Sequence, residues 1–180
     1  LVLKSATGGY DGRGQWRITD PQPEVPSGVS PGHVIAERTV DFERELSLVG
    51  ARNEQGECVF FPLVENVHRD GMLFCTVAPA AIAAGQQSEA EDMLRRIMDA
   101  LDHIGTMAME CFEEQGRLLV NELAPRVHNS GHWSQDGSNL DQFELHVRAL
   151  SGLPLTTPNV SRNTVMLNLV GVHFDPAWLE

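Results

Sequence analysis

The sequence predicts an α+β fold: an antiparallel-rich sheet with helices packed on one side. Three observations carry this expectation. Short β-type runs outnumber helical ones, several follow one another as hairpins, and only two stretches show a 3.6-residue apolar period. With 42% hydrophobic residues in 180, the chain has the material for a packed interior, as one domain or two small lobes sharing a core.

Taken in order, "LVLKS" reads as a short buried strand and "QWRIT" as the strand after a glycine-rich loop. "DPQPEVPSGVSPG" holds four prolines with serine and glycine, so it is a surface connection and neither helix nor central strand. "HVIAERTV", "RELSLVGA", "ECVFFPLVENVH" and "MLFCTVA" follow as β-type runs, the last two joined at "RDG". Residues 88–104 carry the clearest helix. Ala90, Met93, Leu94, Ile97, Met98, Leu101 and Ile104 form one stripe, Ser88 and Glu91 a capping box, and Gly105 the stop. "TMAMECF" and "RLLVNELA" then form a hairpin around "EEQG". A second helix is expected over residues 140–150, with Ser138 near its start and Leu140, Phe143, Val147 and Leu150 on one face. "TVMLNLVG" is a last strand.

Charge and composition exclude several classes. A net charge of −12 with no Lys/Arg cluster argues against a nucleic-acid-binding surface, although a small anionic ligand needs only a few local cations or backbone N–H groups. No apolar run reaches membrane-spanning length and the opening residues do not read as a signal peptide. Cys58, Cys75 and Cys111 lack metal-type spacing and read as reduced thiols, so a cytoplasmic location is expected. The chain opens inside a predicted strand and stops after "VGVHFDPAWLE", and it is expected to be a piece of a longer protein.

Three stretches hold candidate chemistry. The first is "GGYDGRGQW", residues 8–16. No Gly-Lys-Ser/Thr follows, so it is not a P-loop. The order G-x-x-G-x-G before a strand is not a dinucleotide fingerprint either. Such a hairpin loop either wraps phosphate oxygens with its backbone N–H groups, Lys4 adding a point charge, or is an ordinary surface turn. The second is a carboxylate pair. If "EEQG" is a tight turn, Glu110 lies opposite Glu122 or one residue off, beside Asn121. Two such carboxylates either bridge a cation, for which nucleotide-borne Mg²⁺ suits, or face solvent separately. The third is "ELAPRVHNSGHWSQDG", residues 122–137, which brings Arg126, His128, Asn129, Ser130, His132 and Trp133 into one loop after the second carboxylate. Arginine offers a fork for a carboxylate, carbonate or phosphate, and histidine titrates near neutral pH. Glu37, Glu45 and His68 are weaker candidates. His33, His103, His146 and His173 carry no assignment.

Together "VLKSATGGYDGRGQW", "FPLVENVHRDG", "MAMECF" and "NELAPRVHNSGHW" resemble the ATP-grasp enzymes of the 5-(carboxyamino)imidazole ribonucleotide synthetase family, the ATPase subunit of phosphoribosylaminoimidazole carboxylase. The resemblance runs in order along nearly the whole chain. It implies an ATP-grasp fold, with residues 1–36 as part of the small lobe and 37–180 as the large lobe. It also implies carboxylation of 5-aminoimidazole ribonucleotide by ATP and bicarbonate through carboxyphosphate, with Mg²⁺ as cofactor and Mn²⁺ as a substitute, in a homodimer.

The same resemblance implies residue roles. Lys4 contacts phosphate, and Gly9, Tyr10, Asp11, Gly12, Arg13, Gly14 and Gln15 form a lid over the triphosphate. Glu37, Arg38, Thr39 and Val40 form the hinge against adenine. Glu45 meets the nucleotide ribose and His68 is a further nucleotide contact. Glu110 and Glu122 are the metal ligands with Asn121 beside them, and Arg126, His128 and Asn129 hold bicarbonate, carboxyphosphate and substrate. The family's N-terminal domain and its C-terminal basic segment have no counterpart in these residues, so little activity is expected of the bare chain. Competing readings are another ATP-grasp ligase, such as a glycinamide ribonucleotide formyltransferase or a biotin carboxylase, and a non-catalytic nucleotide-binding module. The "RVHNSGHW" loop argues against the first two. The joint presence of Lys4, Glu110, Glu122 and Arg126 argues against the third.

Overall fold

The computed structural model describes residues 1–8, 13–19, 32–172, 175 and 177. They fall into two compact units, Leu1–Asp41 with His68–Met72, and Phe42–Val67 with Leu73–Glu180.

In the first unit, β1 (Val2–Ser5) lies between β2 (Gln15–Arg17) and β3 (Val34–Glu37), antiparallel to both. The register sets Lys4 beside Gln15 on one side and Ile35 on the other. Gly14, at φ 73°, turns the chain into β2, and its carbonyl accepts the Ser5 N–H at 2.7 Å.

In the second unit, β4 (Arg44–Arg52) is the spine. It pairs antiparallel with β5 (Cys58–Phe60) and β6 (Val64–Arg69) along one edge and β8 (Gly105–Glu114) along the other. Beyond β6 come β7 (Met72–Ala78) and β10 (Thr164–Leu167); beyond β8 comes β9 (Arg117–Ala124). The run expected as one strand across "ECVFFPLVENVH" is two, because Pro62 has no N–H to give the ladder. The connection from β6 to β7 turns through Asp70 and Gly71, and that from β8 to β9 through Gln115 and Gly116. All four have positive φ, the backbone of two-residue hairpin turns matched to strand twist.

The expectation of helices on one side is corrected. α1 (Gln86–Ala100) packs Ala90, Leu94 and Met98 against Leu46, Leu48, Met107 and Met109. A short turn of helix, α2 (Ser134–Gly137), follows β9, and then α3 (Gln142–Leu150) packs Leu145 with Trp133 against Val49, Ala51, Ala108 and Ala124. Alternate residues of β4 and β8 thus serve opposite faces, with one helix on each. Both helices also differ from expectation at their ends. Gly85, at φ 91°, is the N-cap of α1, while the Ser88 hydroxyl donates to the Gly85 carbonyl and makes no capping box. Asp102, at φ 47°, turns the other end and the His103 N–H donates back to the Met98 carbonyl at 2.9 Å, so the helix stops at Ala100 and Gly105 opens β8 instead; Arg52 clasps that end through Asp99 (2.9 Å) and the His103 carbonyl (3.0 Å). α3 starts at Gln142, four residues beyond Ser138, and Asp141 caps it by accepting from the N–H groups of Phe143 and Glu144. Its buried face is Gln142, Leu145 and Ala149; Val147 and Leu150 are each 58% exposed.

Arg44 ties strands to helix, donating to Glu113, to Glu65 and to the Ala81 carbonyl, while Gln86 of α1 donates to Glu113. The Arg44 guanidinium holds the Glu113 carboxyl below the usual carboxylate range. The three cysteines are free, and burial pushes the Cys111 thiol up to about 12. Among the described residues no helix is long and apolar enough to cross a membrane.

Candidate active site

In the first unit Lys4 and Glu37 come together. Glu37 is two residues beyond Ile35, the β3 neighbour of Lys4, and therefore shares its face; the ammonium and carboxylate sit 2.7 Å apart. Gln15 lies on β2, Arg13 and Gly14 lead into it, and Arg38, Thr39 and Val40 leave β3 as irregular chain, with Arg38 Nη1 donating to the Thr39 carbonyl at 3.4 Å. His68 sits near the end of β6. Gly9, Tyr10, Asp11, Gly12 and His173 lie outside the described residues.

The second unit holds the carboxylate pair, and its geometry follows from the hairpin. With Gln115 and Gly116 as the turn, pairing runs from Glu114 with Arg117 to Cys111 with Val120. Strict continuation would set Glu110 against Asn121. A bulge intervenes, and Glu110 faces Glu122, with Asn121 as the extra residue. The register question thus resolves to a direct carboxylate pair with an amide beside it. Ser47 faces Glu110 from the other side, on β4. Ser47, Asn66 of β6 and Thr76 of β7 are buried and joined: Asn66 Nδ2 donates to Ser47 Oγ at 2.8 Å and Thr76 Oγ1 donates to Asn66 Oδ1 at 2.9 Å. Glu45 lies two residues before Ser47, between Asn66 and Phe112, and Phe112 stacks on Phe42 at 4.4 Å.

The loop after β9 is more ordered than its composition suggests. His128 caps a 3₁₀ turn, Asn129–Gly131, and α2 follows directly. His128 Nδ1 accepts the Ser130 N–H at 3.3 Å and meets the Ser130 hydroxyl at 2.9 Å. In the neutral ring the proton is therefore on Nε2, which reaches Glu110 Oε1 at 3.4 Å. The Asn129 side-chain oxygen is buried with no hydrogen-bond partner, the kind of acceptor a bound donor satisfies. Arg126 is exposed, one guanidinium nitrogen donating to the Val127 carbonyl. Trp133 is core, edge-on to Phe61. His132 stacks on Phe143, and burial lowers its pKa, so both stand apart from the polar cluster. His103 and His146 are structural, bonded to the Thr106 carbonyl and N–H.

Glu110, Glu122, Asn121, His128 and Asn129 therefore belong to one neighbourhood. Ser130, already a candidate of that loop, joins it through His128, and Ser47, Asn66 and Gln142 support it without having been singled out. A polar residue in an apolar strand, such as Asn66, was the one legible signal. Among the described residues no group of three or more His, Cys, Asp or Glu encloses a metal site. Two carboxylates with amide oxygens fit a divalent cation that brings phosphate oxygens with it, not one held by a full protein cage.

The chain is similar to known proteins along nearly its whole length. The family model of the ATP-grasp domain matches residues 1–143. The chain is similar to an N5-carboxyaminoimidazole ribonucleotide synthase of Escherichia coli, 50% identical over 179 residues, covering 99% of this chain and 50% of that protein. It superposes on the N5-carboxyaminoimidazole ribonucleotide synthetase of Thermus thermophilus with a TM-score of 0.88 at 40% identity, covering 98% and 48% of the two chains. The Aspergillus clavatus synthase in complex with ADP and 5-aminoimidazole ribonucleotide gives a TM-score of 0.85 at 29% identity, covering 95% and 46%. The chain spans about half the length of the curated relatives it matches. The chain belongs to the ATP-grasp family.

Proposed function

We propose that the protein carrying this chain is an ATP-dependent carbon–nitrogen ligase that carboxylates 5-aminoimidazole ribonucleotide with bicarbonate, for purine biosynthesis in the cytoplasm. A homodimer is the assembly the sequence resemblance favours. The observation that carries the reading is the contact between the two halves of the site. His128, in the acceptor-side loop, addresses Glu110, one of the paired carboxylates on the nucleotide side.

The chemistry divides into two displacements. A bicarbonate oxygen attacks the γ-phosphorus of ATP and the bond to ADP breaks, giving carboxyphosphate. The exocyclic amine nitrogen then attacks the carbon and phosphate leaves, basic enough to take the amine proton. Both steps are governed by positioning and by charges placed before reaction. Lys4 neutralises a phosphate oxygen, and Glu37, its ion-pair partner, holds it until nucleotide arrives, with Arg38, Thr39 and Val40 following as the adenine hinge. The sequence resemblance assigns residues 9–15 to the phosphates, Glu45 to the ribose and His68 to a further nucleotide contact. Glu110, Glu122 and Asn121 would hold Mg²⁺, which when bound neutralises charge on the transferring phosphoryl group. His128 in its neutral form is a donor toward Glu110 and fixes that carboxylate. The Asn129 oxygen is free to accept from bicarbonate or the amine, and the Arg126 fork has donors left for an anion.

The test is phosphate release from Mg·ATP and bicarbonate by the complete polypeptide, with and without 5-aminoimidazole ribonucleotide. Release that depends on the ribonucleotide supports the reading. Release indifferent to it, or dependent on glycinamide ribonucleotide, overturns it in favour of a different acceptor.

A further inference from the structure

Gln142 is fully buried, yet it lies at the first position of α3, where a side chain of its length and polarity has no packing advantage. Its amide is spent entirely on one residue. Oε1 accepts the His128 N–H at 2.9 Å, and Nε2 donates to the His128 carbonyl at 2.7 Å. The side chain therefore pairs with both backbone groups of His128, as a neighbouring strand would.

Gln142 is itself fixed from three directions. Its N–H donates to Ser134 Oγ at 3.1 Å, and that hydroxyl donates to the Gly131 carbonyl at 2.6 Å. Its carbonyl accepts from Thr106 Oγ1 at 3.2 Å, which anchors it to β8 four residues before Glu110. Gly131 lies so close that a Cβ there would stand 2.5 Å from Gln142 Oε1. The loop has been shaped around this amide, and the residue it grips is the one whose ring meets Glu110.

We propose that Gln142 is a positioning residue: its amide sets the backbone of His128 so that Nε2 addresses Glu110 and Asn129 stands at the acceptor side. This rests on the ligase reading for its effect on turnover, but not for its effect on the His128 ring. Two variants test it in the complete polypeptide. Gln142→Leu keeps volume and removes both bonds. Gln142→Glu keeps the acceptor and replaces the donor with an oxygen that, when ionised, faces the His128 carbonyl.

In the Leu variant, kcat for ribonucleotide-dependent phosphate release should fall about tenfold or more, because small misplacements of reacting groups are costly, while ADP affinity stays within about twofold. In the Glu variant, kcat relative to wild type should climb as pH falls, since a protonated carboxyl restores the donor; the Leu ratio should stay flat. Independently of turnover, the imidazole nitrogen resonances of His128 in the ligand-free protein should shift in the Leu variant. Unchanged His128 resonances with the protein folded would overturn the proposal. So would ADP affinity falling in step with turnover, which marks a merely structural role. Wild-type protein without ribonucleotide-dependent release would instead overturn the ligase reading, and the resonance shift would still decide the role of Gln142.

Discussion

Replacing Glu122 with glutamine removes one of two like charges that the β8–β9 register sets face to face. Directly opposed residues place their Cβ atoms roughly 5 Å apart. Glu122 is exposed, so a water-like dielectric applies, and two unit charges at that separation repel by about 0.8 kcal/mol before salt screening. Glu122→Gln should therefore stabilise the ligand-free protein by about 0.5 kcal/mol and raise Tm by about 2 °C. With Mg·ADP the sign reverses. Saturating ligand at about a hundred times Kd stabilises wild type by about 2.7 kcal/mol, and losing one carboxylate ligand, if it weakens the site about tenfold, removes about 1.4 kcal/mol of that. Thermal unfolding of both proteins with EDTA, with ADP alone and with Mg·ADP reads each term. A variant less stable than wild type in EDTA refutes the opposed pair. A variant with the full Mg·ADP shift refutes Glu122 as a metal ligand.

Three further outcomes follow from the same contacts. Arg126→Ala should leave ADP affinity unchanged in a binding titration and abolish carboxylation, because the exposed fork lies on the acceptor loop; the reverse pattern would reassign it. Leu94→Ala empties a fully buried site between α1 and the sheet and should cost about 3 kcal/mol in urea unfolding; a cost below about 1 kcal/mol would mean the helix repacks freely. Glu113→Gln should cost on the order of 2 kcal/mol at neutral pH by uncharging the partner of Arg44. Because the folded carboxyl is held below its ordinary value of 4.5, its contribution is full above that value and is lost as pH falls through the folded one. The gap between wild type and variant should narrow as pH drops below about 4.5, and a gap that widens would contradict the sign.

The hairpin that carries the carboxylates was legible because Gln115-Gly116 is a turn with one natural backbone and so nearly fixes the register. The bulge was not, because nothing in the side chains of Val120, Asn121 and Glu122 announces an extra residue; it is a backbone event. The apolar stripe of α3 misled for a different reason. Counting hydrophobic residues assigns Phe143, Val147 and Leu150 to the core, whereas Gln142 is buried instead because the His128 backbone satisfies its amide. The second helical layer did have a signal. "LSLVGA" in β4 and "TMAM" in β8 are near-continuous apolar runs without polar alternation, as in strands covered on both faces, and the structure buries Leu46–Arg52 and Gly105–Met109 without a break. The cap of α1 was lost to Gly85, whose left-handed backbone starts the helix three residues ahead of Ser88.

The most direct test of the account follows the oxygen. Bicarbonate labelled with heavy oxygen should be supplied with ATP, Mg²⁺ and 5-aminoimidazole ribonucleotide to the complete polypeptide, and the released phosphate examined by mass. If bicarbonate attacks the γ-phosphorus to form carboxyphosphate, one labelled oxygen stays on the phosphate when the carbon is transferred. Labelled phosphate, formed only when the ribonucleotide is carboxylated, is the predicted result. Unlabelled phosphate accompanying a carboxylated product would contradict the route through carboxyphosphate.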